Sequence, residues 1–302
     1  MDKLRVVVAL PNQDIYQQEQ ARVARSTAQR YGFHLQILFT DNDISAQGKQ
    51  VLDLVRMRGP ARPDAILIEP YSGNGFIQVA QMAMRSGIAW VLLNCDADYL
   101  DDLRRSAQVP LFSVVRDHLE IGRLQGRQIA ALLPSGGHAL LVQGPPLNVA
   151  AQLRTDGLLA VKPPELRLKQ LHSTWSAENA RRSVSEWLAK KEEPAAHFQL
   201  VACHSDAISR GVRDAFSQIS GPDRERWLGL PMLGIDGLPA EGRAWVDDGS
   251  LTATISTDVT TGVALQLLAD AMNSGSTPPS RTVIPATSYP LLELLRPVRR
   301  RA

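Results

Sequence analysis

Short apolar runs alternate with segments of helical periodicity along most of this 302-residue chain. The runs in the first part are mostly apolar and short, as is typical of strands covered on both faces. They predict strands at residues 4–10, 34–39, 65–69, 89–94 and 111–115. Apolar residues at helical spacing between the runs predict helices at residues 16–31, 45–58, 74–86 and 117–133.

A second series with the same alternation begins at residue 138. Its predicted strands are residues 139–143, 166–171, 200–203, 232–235 and 251–256, and its predicted helices are residues 149–161, 176–190, 205–219, 238–248 and 258–274. Strands and helices that repeat with short connections favour an α/β fold with two similar Rossmann-like lobes, each a parallel sheet with helices on both faces. The chain is long enough for two domains of ordinary size.

Charge and cysteine content narrow the classes of partner. The net charge of +2 and the 44% hydrophobic content are ordinary for a soluble protein, so we expect no nucleic-acid partner. The basic tail at residues 296–301 is expected to be a solvated end, with nucleic-acid contact as the minor alternative. Cys95 and Cys203 belong to no CxxC pattern, which predicts small buried thiols rather than a disulfide or zinc site.

The first residues lead directly into the first predicted strand, with no charged region followed by an apolar core and a cleavage site. No apolar run is long enough to span a membrane. We therefore expect a cytoplasmic protein with no membrane insertion. A periplasmic protein whose signal peptide had been removed would show the same sequence, so that alternative stays open.

Common catalytic and cofactor patterns are missing from the sequence. The glycines of residues 72–75 form neither a dinucleotide nor a P-loop pattern, and no GxSxG or HExxH pattern occurs. Residues 204–206 (His-Ser-Asp) are consecutive, so their side chains do not converge as a triad merely by being neighbours. The six histidines show no metal-ligand spacing. The sequence thus predicts no enzyme activity, no cofactor and no metal.

Polar or aromatic residues recur just after predicted strands, where open α/β sheets bind ligands. The candidate ligand-binding residues are Asn12, Tyr16, Asn94, Asp117, Arg154, Trp175, Ser205, Asp236 and Thr257, and Asp96 and Asp206 occupy similar positions. Carboxylates, amides and an arginine beside aromatic rings suit a small polyhydroxylated ligand, because the rings cover C–H faces while polar groups bind hydroxyls.

Each candidate also has a purely structural interpretation. By position alone Arg154 is typical of a solvated surface arginine, and Trp175 is also consistent with a packing tryptophan. Asp117 and Ser205 are suited to helix N-caps, a role compatible with ligand contact. The remaining alternatives are turns at Asn94 and at Asp236-Gly237 and a core position for Tyr16.

Two segments have specific parallels in a known family: QGPPLNVAAQLRTDG at residues 143–157 and LGIDGLPAEG at residues 233–242. Together with LTATIS (251–256) and SDAISRGVRDA (205–215), they make the chain resemble the type I periplasmic sugar-binding proteins of the ribose and galactose kind. That family shares its fold with the effector-binding domains of Lac-repressor-type regulators. The resemblance extends from residue 4 to about residue 292.

The resemblance implies roles for single residues. It places the family's ligand arginine on Arg154, its second-domain aspartate on Asp236, its aromatic platforms on Tyr16 and Trp175, and its first-half aspartate on Asp117. Three positions depart from the ribose binders: Asn94-Cys95 replaces Asp-Arg, Ser205 replaces Asn, and Thr257 replaces Gln. The resemblance therefore implies the fold without implying ribose.

The resemblance also implies how the chain is divided and used. The expected N-terminal lobe is residues 1–116 plus 258–286 and the C-terminal lobe is residues 117–257 plus 287–302, with hinges near 115–117, 256–258 and 285–288. Binding of a sugar or polyol between the lobes, without catalysis, would close the hinge. The partner would be an ABC permease or a signalling protein; the alternative is a cytosolic sensor without a DNA-binding domain. A monomer and a homodimer are both compatible.

Overall fold

The computed structural model describes residues 3–71, 75–190 and 193–298. The chain divides into two compact units, each assembled from two stretches. The first unit is Met1–Arg116 with Val259–Ile284, and the second is Asp117–Asp258 with Pro285–Ala302. Residues 72–74, part of the glycine segment and of a predicted helix start, and residues 299–301 of the basic tail lie outside the described residues. Hinge motion at the three crossings stays a prediction.

Strands and helices alternate along the first stretch. In chain order it contains β1 (Arg5–Leu10), α1 (Ile15–Tyr31), β2 (His34–Phe39), α2 (Ile44–Arg56), β3 (Ala65–Ile68), α3 (Ile77–Arg85), β4 (Ala89–Leu93), α4 (Tyr99–Arg104) and β5 (Leu111–Arg116). Helix α1 begins after Asp14, whose side chain accepts a hydrogen bond from the backbone N–H of Gln17, and it ends at Gly32 in the left-handed conformation.

The alternation continues through the second unit. Its elements are α5 (His118–Leu132), β6 (Gly137–Gln143), α6 (Val149–Val161), β7 (Leu166–His172), α7 (Ala177–Ala189), β8 (Leu200–Cys203), α8 (Asp206–Ser217), α9 (Pro222–Leu228), β9 (Met232–Leu233), α10 (Ala244–Asp247) and β10 (Thr254–Thr257). The chain then adds α11 (Thr260–Ser274) and β11 (Arg281–Ile284) to the first unit and β12 (Ala286–Tyr289) to the second. Among the described helices, none is both long and apolar enough to cross a bilayer.

The first unit contains a six-stranded parallel sheet in the order β11-β5-β4-β3-β1-β2. Alternate residues of β1 are buried on opposite faces: Val6 and Val8 pack with α1 and α11, whereas Val7 and Ala9 pack with α2 and α3. The strand order reverses between β1 and β3. Such a reversal opens a crevice at the carboxyl ends of the strands, where ligands bind in open α/β sheets.

The second unit contains a four-stranded parallel sheet in the order β7-β6-β8-β9. Helices α7 and α8 cover one face, and α5 and α6 contribute Ile129, Leu132 and Leu158 to the core on the other. The strand order of this sheet reverses between β6 and β8. Strand β10 instead pairs antiparallel with β12, outside the four-stranded sheet.

The parallel sheets with helices on both faces confirm the predicted α/β class. Two predicted elements are wrong in detail: the helix at 238–248 is a π-helical turn, Pro239–Arg243, followed by α10, and the strand at 251–256 is the shorter β10. Helices α4 and α9 and strands β11 and β12 were not predicted. These elements are too short to show a hydrophobic period.

Candidate functional site

Six side chains of the first unit meet near the strand reversal between β1 and β3. This Glu69 cluster consists of Tyr16, Gln17, Gln20, Glu69, Asn94 and Arg116. Glu69 directly follows β3 and Asn94 directly follows β4, while Tyr16, Gln17 and Gln20 lie in the first turns of α1. The parallel strand order therefore brings together residues far apart in sequence.

The Glu69 carboxylate accepts three hydrogen bonds from amide side chains. Gln17 Nε2 donates to Oε1 over 2.8 Å, and Gln20 Nε2 donates to Oε2 over 3.0 Å. Asn94 Nδ2 also donates to Oε2, over 2.7 Å, and its own Oδ1 accepts from the Tyr16 hydroxyl over 3.2 Å. The network fixes which edge of the Asn94 amide faces Glu69.

Burial raises the pKa of Glu69 to about 7, because a charged carboxylate loses its hydration there. The amide hydrogen bonds and the nearby Arg116 guanidinium oppose this rise. The carboxyl group therefore changes its protonation near neutral pH. Perturbed acids of this kind concentrate at functional sites, although structural networks also produce them.

Tyr16 forms one wall of the cluster. The guanidinium carbon of Arg116, at the end of β5, lies 4.3 Å from the centre of the Tyr16 ring, a cation–π distance. Tyr16 is only partly buried, so it is not the core residue of the structural interpretation.

Asn12 and Asn94 both shape turns. Asn12 accepts a hydrogen bond from the Asp14 N–H over 2.9 Å and donates to Asn42 Oδ1 over 2.8 Å. Asn94 has φ = 57°, a left-handed conformation that asparagine tolerates. Asn94 thus combines the turn role with membership of the Glu69 cluster, whereas Asn12 borders the start of α1.

Five residues of the second unit form a second group, the Arg154 cluster, which consists of His118, Arg154, Trp175, His204 and Asp236. Arg154 is 2% exposed, so the solvated-surface interpretation is wrong. Its Nη1 donates to the His204 carbonyl, its Nε donates to His118 Nδ1 over 3.4 Å, and its Nη2 lies 3.8 Å from Asp236 Oδ1. A buried cation is thus matched by a carbonyl, an imidazole and a carboxylate.

Glycines set the position of Arg154. A Cβ atom at Gly157 would lie 2.0 Å from the Leu119 carbonyl oxygen, and one at Gly122 would lie 2.1 Å from the carbonyl oxygen of Arg154. Helices α5 and α6 therefore touch backbone to backbone. This close contact places His118 of α5 beside the Arg154 side chain of α6.

His204 is a neutral, buried acceptor. Burial and the neighbouring Arg154 both lower its pKa well below the usual value for histidine. The backbone N–H of Gly144 donates to His204 Nδ1 over 3.3 Å, which assigns the imidazole proton to Nε2. The histidine therefore adds no second positive charge beside Arg154.

The far edge of the Trp175 indole lies against the backbone of Gly144, just after β6. A Cβ at Gly144 would be 2.4 Å from the far edge of the indole, and the Arg154 guanidinium carbon lies 5.3 Å from the ring centre. The ring also packs against the core on the α7–α8 face, but it stays partly exposed. Trp175 thus combines packing with an accessible ring surface.

Asp236 begins a turn with φ = 114°, and Gly237 follows with φ = 57°. Asp206 supports this turn, because its Oδ2 accepts from the Gly237 N–H over 2.7 Å and its Oδ1 accepts from the Thr254 hydroxyl over 2.7 Å. Burial and the proximity of Asp236 raise the pKa of Asp206 well above its usual range. Asp236 is therefore a turn residue, as one interpretation of the sequence predicted, and it also forms an ion pair with Arg154.

Three further candidates have local roles in the second unit. Asp117 caps α5 by accepting from the Glu120 N–H over 2.9 Å, and Ser205 caps α8 by accepting from the Ile208 N–H over 3.1 Å. Asp117 is the first residue of the second unit. Thr257 is buried at the end of β10, where its N–H donates to the Asp236 carbonyl.

Six members of these clusters were not among the predicted site residues: Gln17, Gln20, Glu69, Arg116, His118 and His204. The predicted strand at residues 65–69 ends with Glu69, whereas in the structure Glu69 directly follows β3, a position that could have marked it as a site residue. Arg116, His118 and His204 gave no local signal, because only strand order and helix packing bring them to their partners. A separate cavity of about 1090 Å³ lies at the amino ends of β1 and β2 and includes no residue of either cluster.

Comparisons with known proteins agree with this architecture. The profile of the family described as "Periplasmic binding protein domain" matches residues 6–275. A Rhizobium meliloti protein named for rhizopine binding is 26% identical over 190 residues, which cover 61% of this chain and 57% of that protein.

Similar solved structures share the fold. A galactofuranose-binding protein has a TM-score of 0.80 at 20% identity and covers 96% of this chain and 95% of its own. A periplasmic solute-binding protein from Actinobacillus succinogenes with bound D-allose has a TM-score of 0.78 at 18% identity, covering 95% and 97%. A solute-binding protein from Bacillus halodurans with bound myo-inositol has a TM-score of 0.75 at 19% identity, covering 96% and 96%.

Proposed function

This chain belongs to the periplasmic binding protein domain family, and from that premise we propose that it binds a sugar or a cyclic polyol without catalysing a reaction. Membership confirms the resemblance drawn from residues 143–157 and 233–242. Members of this family are ligand-binding proteins, which supports binding as the activity.

The observation that carries the proposal is the buried arginine at the carboxyl end of β6. Arg154 stands between the Asp236 carboxylate and the accessible ring of Trp175. Hydroxyl groups both donate and accept hydrogen bonds, so an arginine and a carboxylate side by side suit neighbouring hydroxyls of one ligand. The indole suits the C–H face of a ring.

The Glu69 cluster of the first unit is a second set of polar groups suited to hydroxyls. Its carboxyl, amide and phenol groups are donors and acceptors at the ligand-binding edge of a parallel sheet. The ligands named for the related proteins, which are rhizopine, galactofuranose, D-allose and myo-inositol, support a polyhydroxylated ring as the ligand class.

An ABC-type permease is the partner that we infer for the bound form, because several of the similar solved proteins are transporter components. That use requires a periplasmic location. The alternative use, sensing in the cytoplasm through a signalling partner, remains a second proposal and shares the same ligand site.

A thermal-shift screen against pentoses, hexoses in pyranose and furanose forms, and cyclitols tests the proposal. At ~100 times the dissociation constant a ligand adds about 2.7 kcal/mol to the unfolding free energy, which shifts the melting temperature by a few degrees. Each hit is then incubated with the protein and its recovery is measured by mass. Stabilisation with full recovery supports binding alone; chemical conversion of the ligand, or silence across the panel, contradicts the proposal.

A further inference from the structure

A second group of titratable side chains lies at the other end of β6 from the Arg154 cluster. His138 is the second residue of β6, whereas Gly144, under the Trp175 ring, follows its last residue. Six residues of extended strand span about 20 Å. The two groups are therefore separate sites of the second unit.

His138 meets Glu193 and His197 at this end. Each residue offers one ligand atom, and these three atoms lie within 4.8 Å of one another. His138 Nε2 is 3.6 Å from Glu193 Oε2. The sequence spacing of the histidines did not predict this juxtaposition, because it depends on how residues 193–199 pack against β6.

The surroundings of His138 hold its ring in place. The imidazole stacks on Phe198 with 4.6 Å between ring centres, and Phe198 is buried against Trp187 and Trp227. The His138 backbone N–H donates to Gln199 Oε1 over 2.6 Å, and its carbonyl accepts from the Gln199 N–H over 2.9 Å. His138 is thus a rigid member of the group.

The other two members come from one short segment. A 3₁₀ turn, Ala195–His197, follows Glu193, and the burial of Ala195 anchors it to the core. Lys169 Nζ lies 3.0 Å from Glu193 Oε1. The lysine thus engages one carboxylate oxygen, while the other oxygen faces His138.

We propose that His138, Glu193 and His197 bind a divalent transition ion of the zinc class. Two imidazoles and one carboxylate are a ligand set that Zn²⁺ accepts, whereas Mg²⁺ and Ca²⁺ prefer oxygen ligands. Zn²⁺ bonds of ~2.0–2.1 Å place tetrahedral ligand atoms about 3.3 Å apart. The three ligand atoms must therefore move closer to one another, and the exposed His197 side chain makes this movement. A water molecule takes the fourth position.

Calorimetric titration of ZnCl₂ into the tag-free, metal-stripped full chain tests the site. We expect one equivalent to bind to the wild type. His197→Ala, at an exposed position, and Glu193→Gln should each weaken zinc binding by more than about tenfold. Losing only a hydrogen-bond partner of a metal ligand already weakens metal binding by at least about tenfold. His138→Ala should do the same, and thermal melting checks that each variant folds.

Two controls separate coordination from other effects. His34→Ala removes an exposed histidine of the first unit and should leave zinc affinity unchanged. Lys169→Met removes the ion pair with Glu193 but keeps all three ligands, so one equivalent should still bind. Absence of a bound equivalent in the wild type, or wild-type affinity in His197→Ala and Glu193→Gln, would overturn the proposal.

Discussion

The two clusters occupy matching places in similar sheets but differ in charge. In the first unit an acid, Glu69, is surrounded by neutral amide donors. In the second unit a cation, Arg154, is surrounded by the His204 carbonyl, the His118 imidazole and the Asp236 carboxylate. One cluster is organised around an acceptor and the other around a donor.

The difference shows what a repeated α/β pattern does and does not determine. The strand reversal sets where polar side chains gather in each sheet. The charge at that place depends on single residues, which differ between the units. Either kind of cluster suits hydroxyl groups, because each hydroxyl donates and accepts hydrogen bonds.

Replacing the buried cation should have the largest effect. Arg154→Met leaves the Asp236 carboxylate without its ion-pair partner and should lower the unfolding free energy by about 3–5 kcal/mol. Ligand-induced stabilisation should also disappear. Urea unfolding and the thermal-shift assay measure the two effects.

Arg210→Ala is the matched control, since Arg210 is an exposed arginine of the same unit whose guanidinium lies over Trp245. It should change stability by less than about 1 kcal/mol and leave binding intact. Unchanged ligand affinity in Arg154→Met would contradict the role of Arg154.

The acid of the first unit should make stability depend on pH. Glu69 has a pKa of about 7 in the folded protein against an ordinary value of 4.5 for a glutamate, so the folded state holds the proton more tightly. The contribution of Glu69 to the unfolding free energy is therefore complete below pH 4.5 and is lost as pH rises to 7, a change of up to about 3 kcal/mol.

Urea unfolding of the wild type and Glu69→Gln at pH 5 and pH 8 isolates this contribution. Between pH 5 and pH 8 the unfolding free energy of the variant should fall less than that of the wild type, because the variant lacks the titrating carboxyl group. Loss of one carboxylate acceptor lowers the stability of the variant at both pH values. Parallel pH profiles for the two proteins would mean that Glu69 keeps an ordinary pKa.

The glycine contact below Arg154 gives the next effect. Gly157→Ala forces α6 away from the Leu119 carbonyl and should cost about 1–3 kcal/mol. Gly48→Ala in α2 of the first unit meets no atom within 4 Å and should stabilise by about 0.5–1 kcal/mol. Denaturant midpoints measure both changes, and equal effects would show that helix contact is not what positions Arg154.

The smallest effect is expected at Trp175, the aromatic side chain of the Arg154 cluster. Trp175→Ala should weaken ligand binding about tenfold, or ~1.4 kcal/mol, and lower the stability of the ligand-free protein by a similar amount, because the ring is only partly buried. Trp187→Ala removes a buried indole of the same unit and should cost about 3–5 kcal/mol of stability. A loss of that size in Trp175→Ala would make it a core residue only.

Local patterns were sufficient for the fold and for part of the candidate site. Asn94 directly follows an apolar run, and Arg154 and Asp236 lie inside the segments at residues 143–157 and 233–242 that resemble a known family, so local sequence predicted them. The partners of these residues were not predictable in the same way. Gln20 reaches Glu69 only because β1 and β3 are neighbours, a fact of strand order that periodicity does not contain.

His118 reaches Arg154 for a similar reason. Glycines at 122 and 157 allow two helix backbones to touch, and no hydrophobic pattern records that contact. The charge of each cluster could be read from the sequence only after its members were known. Sequence periodicity thus predicted positions, whereas neighbouring elements determined the interactions.

The two-stretch construction of the first unit has a consequence for synthesis. Strand β5 pairs with β11, and α11 supplies Ala264, Leu265 and Leu268 to the same core. Translation of residues 117–258 intervenes, which takes roughly 10–30 s at ~5–20 residues per second. During that interval β5 is an unpaired edge beside an uncovered apolar face, a state prone to aggregation. The nascent chain is therefore most vulnerable while its second unit is being made, and a chaperone that shields β5 would act in that interval.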